Sequence, residues 1–76
     1  MESIRVLEVK LMVDAWNAHQ RIGQAVRVML DDGSFRKSMT RSEAWVASGQ
    51  PLVQVEGKVV GGYSLYRVAP DWEEGI

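Results

Sequence analysis

The sequence has no cysteine, a single histidine and only two prolines in 76 residues, and its formal net charge is −1. The missing cysteine excludes a disulfide framework, a thiol nucleophile and any cysteine-built zinc site. It fits a reducing compartment. The missing basic excess argues against a partner of DNA or of a membrane surface that relies on charge alone. No run of about 18 apolar residues is present, so no membrane-spanning helix is expected. The opening Met1-Glu2-Ser3-Ile4-Arg5 lacks the basic-then-apolar layout of a signal peptide. There is no internal repeat and no low-complexity segment. The length suits one domain, and a domain this small buries only roughly 60% of the surface its unfolded chain exposes.

Catalytic constellations are also missing. His19 has no cysteine near it, and its nearest carboxylate in sequence, Asp14, lies off its helical face. A metal site needs several converging ligands. Asp31 and Asp32 adjoin each other before Gly33. There they read as turn residues that accept backbone N–H bonds, not as an acid–base pair in a cleft. The serines form no Gly-x-Ser-x-Gly elbow, and the glycines at 57–62 lack the spacing of a phosphate loop. The sequence therefore predicts no enzyme activity, no metal and no cofactor.

What is present begins with a clear alternation. Val26, Val28 and Leu30 alternate with Arg27 and Met29 up to Asp31-Asp32-Gly33. A period of two is the mark of a half-buried strand, and Asp-Gly between two such runs marks a hairpin. The reading is a strand from Gln24 to Asp31 and an antiparallel return from Ser34 to Met39. Phe35 and Met39 then face inward, with Arg36 and Ser38 outward.

Upstream, Val9, Met12, Val13 and Trp16 make one helical stripe, and Leu11, Ala15, Ala18 and Ile22 make a second beside it. This predicts a helix from about Val6 to Gln20, with residues 4–9 also compatible with a short strand. Gly23 reads as the glycine just past the helix end. His19 and Arg21 suit the negative end of the helix dipole.

Downstream, Thr40-Arg41-Ser42-Glu43 has the form of a capping box. It predicts a helix of one to two turns at about 41–47, stopped by Ser48-Gly49-Gln50-Pro51, with Trp45 closing one end of the core. Leu52 to Glu56 reads as a third strand, with Val53 and Val55 on one face. Gly57-Lys58 turns, Val59 and Val60 pair briefly, and Gly61-Gly62 marks a bend. Tyr63 to Val68 is the last strand, ended by Pro70.

The expected fold is mainly β with α: a small, SH3-like antiparallel barrel, with an OB-like barrel as the alternative. The division is one domain, with an N-terminal helix over 1–22, the barrel over 23–68 and an acidic tail over 69–76.

Charge is unevenly placed. Residues 1–41 hold seven basic and five acidic side chains, net +2, and residues 42–76 hold two and five, net −3. Arg27, Arg36, Lys37 and Arg41 read as a basic strip on the outer face of the hairpin, beside Tyr63 or Tyr66. Small barrels grip single-stranded nucleic acid with such a combination. The other reading is an ordinary charged face neutralised by Glu43 and Glu56. Trp72, among Asp71, Glu73 and Glu74, either folds back on the barrel or anchors a protein partner.

The pattern Trp16-Asn17, Gly23, Val26-Arg27-Val28, Asp31-Asp32-Gly33, Thr40 to Trp45, Val55-Glu56-Gly57, Gly61-Gly62-Tyr63, Leu65 and Arg67-Val68 resembles short, uncharacterised phage and prophage proteins of proteobacteria with an SH3-like barrel. The resemblance implies a cytoplasmic protein in a bacterial host that binds a host protein or complex. Counter-defence proteins, including anti-CRISPR types, are prominent in that class. The expected function is thus a non-enzymatic binding protein that blocks a host macromolecule. Nucleic-acid or nucleotide binding is the alternative, and self-association as a homodimer, through an apolar helix face or a strand edge, is a third possibility.

Overall fold

A computed structural model of the chain describes residues 4–57 and 62–71. In order these form helix α1 (Ile4–His19), strands β1 (Ala25–Met29), β2 (Phe35–Met39), β3 (Trp45–Ala47), β4 (Gln50–Val53) and β5 (Tyr63–Ser64), a 3-10 turn (Leu65–Arg67), and β6 (Val68–Pro70). Two three-stranded antiparallel sheets result, with orders β2-β1-β6 and β3-β4-β5. No ladder joins β6 to β3 or β5, so the strands do not close into a barrel among the described residues. No helix is long and apolar enough to cross a membrane, again among the described residues.

The helix forms where the apolar period lies, and residues 4–9 join it. Val9 and Val13 are buried, with Met12 and Trp16 half-buried over the core. The second stripe behaves differently: Leu11, Ala15, Ala18 and Ile22 are all exposed. Gly23 is not the residue that ends the helix. It sits at the third position of the turn Arg21–Gln24, closed by the Gln24 N–H on the Arg21 carbonyl at 3.1 Å, with φ of +90°. Glycine takes that conformation without a Cβ clash.

The core between helix and sheets is built mostly of valine: Val13, Val26, Val28, Val53, Val55 and Val68, with Ala44 and Leu65. Val26, Val28 and Val53 are fully buried. Each such side chain contributes about 1.5–2 kcal/mol relative to exposure. Valine is stiff at χ1 and pleats well, which suits a core assembled from short strands.

The hairpin at Asp31-Asp32-Gly33 forms, but with a three-residue loop. Met29 pairs with Phe35, and Leu30 and Ser34 close the loop through Leu30 N–H on the Ser34 carbonyl at 2.8 Å. Asp32 Oδ1 accepts both the Ser34 N–H at 2.9 Å and the Ser34 hydroxyl at 2.6 Å. These bonds, the hydroxyl's first, lower the Asp32 pKa below its ordinary value.

The expected helix at 41–47 is absent. Trp45–Ala47 is strand β3, paired with β4 through Trp45↔Leu52 and Ala47↔Gln50. The two-residue loop between them has positive φ at both positions, +51° at Ser48 and +75° at Gly49. That is the twist a tight hairpin needs. Trp45 therefore packs from a strand, and its ring lies where a Cβ on Gly62 would stand 2.6 Å from its Cη2. The last strand is interrupted as well. Ser64 accepts the Tyr66 N–H at 3.3 Å and starts the 3-10 turn. Strand β6 then runs through Pro70, two residues into the stretch expected to be tail, and pairs with β1. The brief pairing at Val59 and Val60 and the bend at Gly61 fall outside the described residues.

Thr40, expected to cap a helix, instead knots three segments. It is 1% exposed. Its hydroxyl accepts the N–H groups of Gly23 and Gln24, both at 3.0 Å, and donates to the Arg21 carbonyl at 2.9 Å. Its backbone N–H bonds the Gln24 carbonyl at 3.0 Å. On its other side it bridges Val55, so that Arg41 N–H reaches the Gln54 carbonyl at 2.7 Å and Glu56 N–H reaches the Met39 carbonyl at 2.9 Å. This bridge links the end of β2 to the segment that follows β4. Asn17 makes a second tie: its side chain accepts the Ala44 N–H at 2.8 Å and donates to the Ala44 carbonyl at 3.0 Å.

Two stability outcomes follow. Thr40→Val keeps the shape but removes all three hydroxyl bonds, although Gly23 N–H keeps the Thr40 carbonyl and Gln24 N–H keeps the Arg21 carbonyl, so it costs about 2–3 kcal/mol in urea unfolding. Thr40→Ser keeps all three hydroxyl bonds and costs about 1 kcal/mol for the lost methyl; equal losses for the two variants would contradict the role given to the hydroxyl. Ser48→Asn places a residue that tolerates positive φ in the β3–β4 loop, and raises stability by about 0.5–1 kcal/mol in the same assay.

Candidate binding surface

Register decides what the hairpin shows to solvent. Directly opposed residues in an antiparallel pair share a face. Val26 and Val28 point into the core, so Ser38 and Arg36, opposite them, lie on the core side of the sheet. The outward face carries Ala25, Arg27 and Met29 on β1, Phe35, Lys37 and Met39 on β2, and Ala69 on β6. The expected orientation of β2 is therefore reversed. Phe35 and Met39 face out, 62% and 38% exposed, and Arg36 shares no face with Arg27.

The predicted basic strip consequently comes apart. Arg27 and Lys37 stay together as a cross-strand pair. Arg36 reaches past the core edge on the other side, its Nη2 3.2 Å from where a Cβ on Gly57 would stand. Arg41 begins no helix; its Nη1 stands 3.8 Å from Glu56 Oε2, both side chains exposed. Tyr63 lies in the second sheet, half-buried, with its hydroxyl on the Met29 carbonyl at 2.9 Å. Tyr66 is exposed on the 3-10 turn. Trp72 lies outside the described residues.

Charges on this side of the molecule are held locally. Arg27 Nε is 3.5 Å from Asp71 Oδ1, and the carboxylate is 1% exposed against 39% for the arginine side chain. Asp71 extends the β6 pairing, its N–H on the Ala25 carbonyl at 2.9 Å. Neither of its carboxylate oxygens has a hydrogen bond among the described residues. Arg67 Nη1 donates to Asp31 Oδ1 at 2.6 Å. That bond, with a lesser one to Tyr63, raises the arginine pKa still further.

The arrangement can therefore act as a sheet face. A cationic centre, Arg27 and Lys37, is flanked at one end by Met29 with Phe35 and at the other by Ala25 with Met39. The sequence pattern already places Met29 on the face of Arg27, but Phe35 and Met39 were expected inward and are surface residues. The signal that finds them is the loop length, which sets the parity of the pairing. His19 is exposed in the last turn of α1. No protein-family model, curated protein or solved structure matches the chain.

The Arg27–Asp71 contact has a measurable weight. Arg27→Met leaves a buried carboxylate without its counter-charge and costs about 2–3 kcal/mol. Adding Asp71→Asn to that variant recovers most of the loss in a double-mutant cycle. Additive losses would show that the two side chains do not depend on each other.

Proposed function

We propose that this is a non-enzymatic binding protein that occupies a host macromolecule, with the outward face of β2-β1-β6 as the contact surface. The observation that carries the reading is the exposure of Phe35 and Met39 beside the Arg27–Lys37 pair. Large apolar side chains set around a cationic centre are common anchors of protein contacts. The local pairing of Arg27 with Asp71, Arg41 with Glu56 and Arg67 with Asp31 favours a protein partner over a phosphate backbone.

An SH3-like fold is part of this reading, and the antiparallel pairing of β1 with β6, the 3-10 turn just before the last strand and the Thr40–Val55 bridge are compatible with it. Origin in a phage or prophage, action in the bacterial cytoplasm and a counter-defence role against a complex such as a CRISPR effector rest on the sequence resemblance alone.

The test is capture from bacterial lysate with a tagged chain, with and without nuclease. A discrete protein partner that survives nuclease is expected, with retention reduced at least tenfold by Phe35→Asp and little changed between low and moderate salt. Retention that vanishes with nuclease, or that falls with a log–log salt slope near −0.7 per phosphate contact, would overturn the protein reading and establish nucleic-acid binding.

A further inference from the structure

The helix α1 is apolar on two opposite sides. At about 100° per residue, Val9, Val13 and Trp16 lie on the side that faces the core. Ile4, Leu7, Leu11, Ala15 and Ala18 fall within an arc of about 80° on the opposite side, and all five are exposed, Ile4 at 76% and Leu11 at 66%. Ile22, just beyond the helix, is exposed as well. A helix that is apolar on both sides is ordinarily covered on both. Among the described residues nothing in this chain covers the outer side.

We infer that a second copy of this chain covers it, through an antiparallel, two-fold pairing of α1 with α1. The stripe is divided by size: Ile4, Leu7 and Leu11 are large, and Ala15 and Ala18 are small. Antiparallel pairing about a two-fold at the level of residues 12–13 puts Leu7 against Ala18 of the second copy and Leu11 against its Ala15. Both contacts occur twice by symmetry. Ile4 then stands opposite Ile22. Parallel pairing would set large against large at one end and leave a gap between alanines at the other. Large-against-small interdigitation is what close packing requires.

Charge agrees with the same register. Lys10 and Asp14 line one border of the stripe, both exposed, and the two-fold brings Lys10 of each copy level with Asp14 of the other. The opposed helix dipoles add to this arrangement. A single pair of 16-residue helices makes an interface near the small end of the stable range, about 1,200 Å² in total. The association is accordingly reversible and concentration-dependent.

Sedimentation equilibrium over a concentration series tests the proposal. The wild type forms dimers, and Leu11→Lys, a surface change, weakens them at least tenfold with an unchanged circular-dichroism spectrum. Lys10→Asp also weakens them, and adding Asp14→Lys restores them. Orientation is read by cross-linking, since the chain has no native cysteine. A Leu7→Cys chain mixed with an Ala18→Cys chain forms a disulfide-linked pair, whereas neither chain alone does. A wild type that stays monomeric throughout overturns the proposal, as does a Leu11→Lys chain that dimerises like wild type. Ready disulfide formation by either single-cysteine chain alone overturns the antiparallel arrangement. A monomer that binds phosphatidylcholine vesicles through Leu11 would assign the stripe to a lipid surface instead.

Discussion

The hydroxyl of Thr40 is the group on which the tertiary arrangement depends. A threonine hydroxyl has one donor and two acceptor positions, and all three are used inside the protein, on Arg21, Gly23 and Gln24. The turn after α1 is thereby attached to the end of β2. The same residue's backbone faces Val55. Helix, first hairpin and second sheet are therefore fixed relative to one another at one buried point. The valine core fills the space this point defines. Hydrophobic burial supplies most of the stabilisation but has no direction, whereas the three bonds at Thr40 do.

Much of this was legible in the sequence, and the errors have physical causes. The 16-residue helix and the first hairpin were readable because each carries several periods of its pattern. The β3–β4 hairpin was not, because three-residue Trp45–Ala47 is too short to display alternation. A Thr-x-x-Glu sequence in front of it imitates a helix start. The decisive local signal was Ser48-Gly49, which suits a two-residue loop with positive φ as well as it suits a helix stop. The hydroxyl of Thr40 is then claimed by residues 16–19 positions away, a long-range bond that no local pattern announces.

The misplaced basic strip has a different cause. A two-residue loop at Asp32-Gly33 would have put Arg27, Arg36 and Ser38 on one face. The actual loop, Asp31-Asp32-Gly33, holds one residue more, and Arg27 stands opposite Lys37. Side chains alternate with period two, so a shift of one residue exchanges the faces of a whole strand. Composition and charge count are blind to that exchange. The apolar surface around Phe35 and Met39 results from it.

The pairing of β1 with β6 also has a consequence in time. Val26 and Val28 acquire their second strand neighbour only when residues 68–70 exist. Ribosomes add about 5–20 residues per second, so roughly 2–8 s separate the synthesis of β1 from that of β6. Until β6 docks, the hairpin keeps an open, valine-rich edge, the kind of edge that recruits strands from other chains. Arg27 and Lys37, side by side on this hairpin, give it charge while it waits.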